Sequence, residues 1–84
     1  MTLRIETISG SKRTIIKLIG RIQTEHLSEL RAQLDAIEGS TVLDLGDVSL
    51  VNLDVVQFLN KCESKGTQLS NCPAYIRKWI DSER

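Results

Sequence analysis

The sequence has no excess of charge of either sign, because 11 Lys and Arg residues balance 11 Asp and Glu residues. Domains that bind nucleic acid normally carry a basic stripe that neutralises phosphates, so this balance argues against that class. No apolar run approaches the length of a membrane span, and the N-terminal residues lack the apolar core of a signal peptide. We therefore expect a soluble, cytoplasmic protein that does not insert into a membrane.

Residues for metal, redox or phosphate chemistry are also scarce. Cys62 and Cys72 lack CxxC spacing, and the one histidine, His26, is distant from both. A zinc site would need four clustered ligands, so two reduced structural cysteines are favoured, with Cys62 on the apolar face of a helix. Neither the P-loop pattern nor GxGxxG occurs, and His26 beside Glu25 and Glu29 is typical of a solvated surface group. These features predict no metal, no cofactor and no enzymatic activity.

The composition that is present, 40% apolar and 26% charged, is ordinary for a globular protein and fits one domain over residues 1–84. Strands are predicted over Leu3–Ile8 and Thr14–Ile19, joined by a hairpin turn. The later predicted elements are a helix from an N-cap at Thr24 to Gly39, a strand over Thr41–Leu45, a helix from Leu53 to Lys65 ended by Gly66, a strand over Thr67–Ser70, and a helix opened by Pro73. This order predicts an α/β fold: a small mixed sheet of about four strands, with an antiparallel hairpin, then parallel strands, and helices mainly on one face.

The second predicted strand is apolar on both faces. If Ile16 and Leu18 face the core, Ile15 and Ile19 point to the opposite face of the sheet. One interpretation, which we favour, is that Trp79 and its neighbours cover them. The other is an exposed apolar patch through which the chain forms a homodimer.

Three segments in succession resemble the STAS family, the domain of sulphate transporters and anti-sigma factor antagonists: TIIKLIGRI, TEHLSELRAQL and TVLDLGDVSLVNLDVVQFL. The resemblance extends from Leu3 to about Ser70. It implies a STAS-like fold and a bacterial regulatory module that binds a protein and is not an enzyme. It implies two kinds of partner: an anti-sigma factor or related kinase-like protein, or a transport complex of which this chain is an accessory subunit. The sequence does not choose between them, and no residues specify a small-molecule ligand.

STAS domains of the antagonist type are switched by phosphorylation at the start of their second helix, within a pattern Asp-Ser/Thr-Ser/Thr-Gly. The aligned residues here are Asn52, Leu53, Asp54 and Val55, and all four depart from that pattern. Asp54 occupies the phosphoacceptor position but has no hydroxyl, so we expect no phosphorylation there. Its carboxylate either mimics the charge of a phosphorylated member or complements the helix dipole, an effect of about 0.3–1 kcal/mol; we favour the second.

The resemblance places the partner-binding surface at the exposed start of the second helix and the turn before it. The residues predicted to contact a partner are Asp47, Ser49, Asn52, Leu53 and Asp54. Asn52 is also predicted to be the N-cap of this helix, because its side-chain oxygen can accept a first-turn N–H.

A response-regulator receiver is an alternative for the strand Thr41–Asp47, with Asp44 as the phosphoacceptor. That chemistry needs an acidic pair that binds Mg²⁺ after the first strand, and the N-terminal hairpin supplies none. Asp44 is better interpreted as a polar residue near a strand end that makes a backbone or partner contact.

Overall fold

The computed structural model describes residues 3–83, so the first two residues and the last residue of the predicted domain lie outside it. The elements in chain order are β1 (Leu3–Ser9), β2 (Arg13–Arg21), a 3-10 turn (Thr24–His26), α1 (Leu27–Ala36), β3 (Ser40–Leu50), α2 (Leu53–Ser64), β4 (Gln68–Ser70) and α3 (Ala74–Ser82). The strands form one sheet in the order β1-β2-β3-β4. β1 pairs antiparallel with β2, and the other two pairs are parallel. The predicted α/β fold with a mixed sheet is confirmed.

Buried apolar residues occupy every second position along β2 and β3, and this alternation determines which face of the sheet is buried. Ile16 and Leu18 of β2 and Leu43 and Leu45 of β3 have no exposed surface, and successive strand residues point to opposite faces. They pack in one cluster with side chains of all three helices. The helical members are Leu30 of α1, Val55, Val56, Phe58, Leu59 and Cys62 of α2, and Ile76 and Ile80 of α3. The helices therefore cover one face, and Cys62 is buried on its helix as predicted.

The opposite side of the sheet, called here the helix-free face, carries a second apolar row. Ile8, Ile15 and Val42 are neighbours in register across β1, β2 and β3. Trp79 packs against the main core among the helices, so the prediction that it covers Ile15 and Ile19 is wrong. The reason is that α3 lies beside α2 on the helix-bearing face. A homodimer formed through the helix-free face stays a prediction.

β3 is longer than predicted because it contains a bulge. The expected strand over Thr41–Leu45 extends from Ser40 to Leu50, and its pairing with β2 is irregular twice, with one extra β3 residue near Gly46 and another at Ser49. The spacing of buried residues changes there from two to three, from Leu45 to Val48. A Cβ added to Gly46 would lie 3.2 Å from neighbouring side-chain atoms, so the bulge is closely packed. The polar residues that favoured a turn in this region belong to the bulged strand.

The ends of the first helix differ from the prediction. Thr24 is not the N-cap: Gln23 caps a 3-10 turn in which the Gln23 N–H donates to His26 Nδ1 at 2.9 Å, and His26 is the N-cap of α1. α1 ends at Ala36, three residues before the predicted stop at Gly39. The Thr24 hydroxyl is consequently available for a contact outside its own helix.

Gly66 ends α2 as predicted, although the helix stops at Ser64 and not at Lys65, and the start of α3 is shifted by one residue. Gly66 has φ +104° and its N–H donates to the Glu63 carbonyl at 3.1 Å, while the Thr67 N–H donates to the Cys62 carbonyl at 3.0 Å. This pair of hydrogen bonds is the Schellman motif, which favours glycine at the left-handed position. Pro73 is the N-cap of α3 and not its first residue.

We predict that Leu43→Ala lowers the free energy of unfolding by about 2–5 kcal/mol, because it leaves a cavity at a fully buried position. Leu50→Ala is the matched control in the same strand, since Leu50 is 52% exposed, and it should change stability by no more than about 0.5 kcal/mol. Urea denaturation measures both. Equal losses would contradict the assignment of the buried face.

Candidate functional site

The start of α2 is capped by Asn52, as predicted. Asn52 has extended backbone angles, and its Oδ1 accepts a hydrogen bond from the Val55 N–H at 3.0 Å. This bond satisfies one of the first-turn N–H groups that have no partner inside the helix. Asp54 lies in the same first turn, where a carboxylate interacts favourably with the helix dipole.

Thr24 joins Asn52 and Asp54 in a hydrogen-bonded chain. Asn52 Nδ2 donates to Thr24 Oγ1 at 3.1 Å, and the Thr24 hydroxyl donates to Asp54 Oδ2 at 2.8 Å. Three side chains therefore connect the 3-10 turn before α1 to the start of α2. No local pattern predicts this connection, because Thr24 and Asp54 are 30 residues apart. We call these residues the helix-start network.

Three exposed apolar side chains lie at the end of β3, in the first turn of α2 and in the first turn of α3. Leu50 is 52% exposed, Leu53 is 45% exposed and Tyr75 is 47% exposed. The Tyr75 hydroxyl donates to the Ser49 carbonyl at 3.0 Å, which holds the aromatic ring beside the end of β3. We call Leu50, Leu53 and Tyr75 the helix-start patch; of these, the sequence predicted Leu53 alone as a contact residue.

The five predicted contact residues are not all brought together. Ser49, Asn52, Leu53 and Asp54 lie at the end of β3 and the start of α2. Asp47 instead forms an ion pair with Lys17 at 3.2 Å. Lys17 lies between the buried Ile16 and Leu18 and so points to the helix-free face, which places the Asp47 carboxylate on that face as well. The pKa of Lys17 is raised, first by its hydrogen bond to Asp47 and then by the charge of that carboxylate.

Asp44 makes the backbone contact that its sequence position predicted. Its Oδ1 accepts hydrogen bonds from the Gly46 N–H at 3.0 Å and from Asn71 Nδ2 at 3.2 Å. The bond from Gly46 is the main cause that lowers the pKa of the Asp44 carboxyl. Asn71 has φ +54°, a conformation that asparagine adopts more readily than most residues. Asp44 thus joins the β3 bulge to the residue that follows β4.

Within residues 3–83 no group of three or more His, Cys, Asp or Glu side chains is placed to hold a metal ion. Both cysteines are free thiols, and burial raises the pKa of each. No helix in the same range is long and apolar enough to cross a membrane.

Comparison of the chain with models of known protein families found none that matches, and comparison with curated proteins gave no significant match.

We predict that Asp44→Asn removes a pH-dependent part of the stability. Because folding lowers the pKa of Asp44, its carboxylate stabilises the fold above the pKa of the unfolded chain, about 3.9. This stabilisation is lost as the pH falls through the lower pKa of the folded state. Near neutral pH the free energy of unfolding of the wild type should exceed that of the variant by no more than about 1 kcal/mol, since both hydrogen bonds of Asp44 lie at the surface.

Urea denaturation at several pH values measures this effect, and the difference in the free energy of unfolding between the two proteins should shrink as the pH falls below about 3.9, the pKa of the carboxyl in the unfolded chain. Glu38→Gln is the control, because Glu38 is an exposed carboxylate in the loop before β3. A difference between wild type and Asp44→Asn that does not change with pH would contradict the assignment.

Proposed function

We propose that the protein is a cytoplasmic, non-enzymatic regulatory module of the STAS type that binds a protein partner through the start of α2. The observation that carries this proposal is the helix-start patch: three large apolar side chains, each about half exposed, of which Leu53 lies in the same helix turn as the hydrogen-bonded Asp54. Exposed apolar side chains that cluster at one place are typical of surfaces that other proteins cover.

The chemistry of this surface suits a protein partner. Leu53 and Tyr75 offer apolar area for burial, and Tyr is one of the residues enriched in protein interfaces. Asn52 supplies a polar side chain that is held in place before a partner arrives, because it is bonded to Thr24 and to the Val55 N–H. Side chains that are already ordered lose less conformational entropy on binding, which favours affinity.

The arrangement around Asp54 supports a structural role for its carboxylate. One oxygen accepts the Thr24 hydroxyl at 2.8 Å, and the residue lies in the first turn of α2. Both features stabilise the local fold whatever the signalling state of the protein. We therefore propose that Asp54 complements the helix start and does not imitate a phosphorylated residue.

We predict that Leu53→Asp abolishes capture of the partner from an extract of the native host while the fold is retained. The new carboxylate would lie in the first turn of a helix, where acidic residues are favourable, but it removes apolar area from the helix-start patch. Ile8→Asp is the matched control, since Ile8 is also an exposed apolar residue, at 58% against 45% for Leu53, and lies on the edge strand β1. The tagged full chain is used to capture proteins from the extract, and mass spectrometry identifies them. Thermal unfolding of each variant checks that the fold is retained.

The identity of the captured protein separates the two regulatory roles. A kinase-like anti-sigma factor would support the signalling role, and a permease or ATPase subunit would support the accessory role in a transport complex. Capture that survives Leu53→Asp and is lost with Ile8→Asp would move the binding surface to the helix-free face and refute the proposed site.

For Asp54 we predict that Asp54→Ala and Asp54→Ser bind the captured partner with a Kd within about twofold of the wild-type value. A loss of about 1.4 kcal/mol in binding free energy would instead change the Kd about tenfold. Both variants should lose up to about 1 kcal/mol of stability, because the interaction with the helix dipole is removed. Titration calorimetry with the purified partner measures the first effect. A change in affinity of more than about tenfold in both variants would instead support a carboxylate that mimics phosphorylation.

A further inference from the structure

A cavity lies at the other end of α2, between the C-terminal halves of α1 and α2 and the start of β3. Its volume is about 210 Å³. Its apolar lining comes from both helices and from the segment that follows α1: Leu34, Ile37, Phe58 and Cys62. Burial raises the pKa of the Cys62 thiol, so this group is uncharged near neutral pH and adds apolar surface.

Three cations surround the cavity: Arg31 of α1, Lys61 of α2, and Lys65 immediately after α2. We call them the rim cations. Asp35 is the one anionic residue among those that line the cavity. None of the ion pairs within residues 3–83 includes a rim cation. The Arg31 guanidinium lies 5.9 Å from the centre of the Phe58 ring, so it borders the apolar lining directly.

The combination of lining, charge and size defines a class of ligand. An inorganic anion would leave the apolar lining exposed to water. A neutral apolar molecule would not balance the positive charge of the rim cations, which Asp35 balances only in part. The volume is several times the roughly 30 Å³ that a water molecule occupies. It is smaller than the roughly 300–1,000 Å³ of sites for drug-sized ligands.

We propose that this cavity binds a small amphipathic monoanion, an aliphatic or aromatic carboxylate. The apolar part contacts Ile37 and Phe58, and the carboxylate lies among the rim cations. Leu53 of the helix-start patch and Phe58 of the cavity lining are five residues apart on α2, which is about 7.5 Å of helix, so the two sites are neighbouring but distinct. The inference goes beyond the proposed function and does not depend on it.

The test uses the full chain with hexanoate and benzoate as probes, measured by titration calorimetry and by NMR shifts of the cavity residues. Acetate supplies the charge without the apolar part, and hexanol supplies the apolar part without the charge. We expect saturable binding of hexanoate or benzoate that is at least about tenfold tighter than binding of acetate or hexanol.

The variant Lys61→Gln/Lys65→Gln should weaken the binding of these probes at least about tenfold. The matched control is Lys12→Gln/Lys78→Gln, which removes the same charge from two exposed lysines that do not line the cavity. Retained affinity in the control supports the site. Equal loss in both double variants, equal binding of acetate and hexanoate, or no saturable binding of either carboxylate would overturn the proposal.

Discussion

Burial of the apolar side chains that alternate along β2 and β3 fixes the position of α2 over the sheet. Leu43 and Leu45 face Val55, Val56 and Leu59 in one cluster, so the helix must run back over the strand that precedes it. Its first turn then lies at the end of β3, and its last turn lies near the start of that strand. The helix-start patch at one end and the cavity at the other are both consequences of this single packing arrangement.

The polar contacts at the start of α2 depend on that packing. Thr24 reaches Asn52 and Asp54 because the apolar contacts of α1 and α2 hold the two helices side by side. The individual hydrogen bonds are exposed and stabilise the fold weakly, but together they hold three side chains in one arrangement. A surface of this kind combines apolar side chains that are free to contact a partner with polar side chains whose positions are already fixed.

Local patterns predict much of this molecule, because the spacing of apolar residues determines which elements form and which faces they bury. Capping at Asn52, burial of Cys62 and the exposed Leu53 all follow from neighbouring residues. The contacts of the candidate site that local patterns do not predict are made with residues distant in the sequence. Thr24 and Tyr75 reach the site through contacts with residues 30 and 26 positions away, and no local signal encodes them.

A second shift in register lies between Val48 and Leu50 of β3, and the bulge at Gly46 reverses which residues of the strand face the core. Before it, the core receives the odd-numbered positions Leu43 and Leu45; after it, the core receives Val48, and Asp47 points to the other face. Chain length at Gly46 is therefore as important as residue identity. Deleting Gly46 would leave Leu45 and Val48 two positions apart, so both would still face the core, whereas inserting one more residue would exchange the inward and outward positions of Asp47 and Val48.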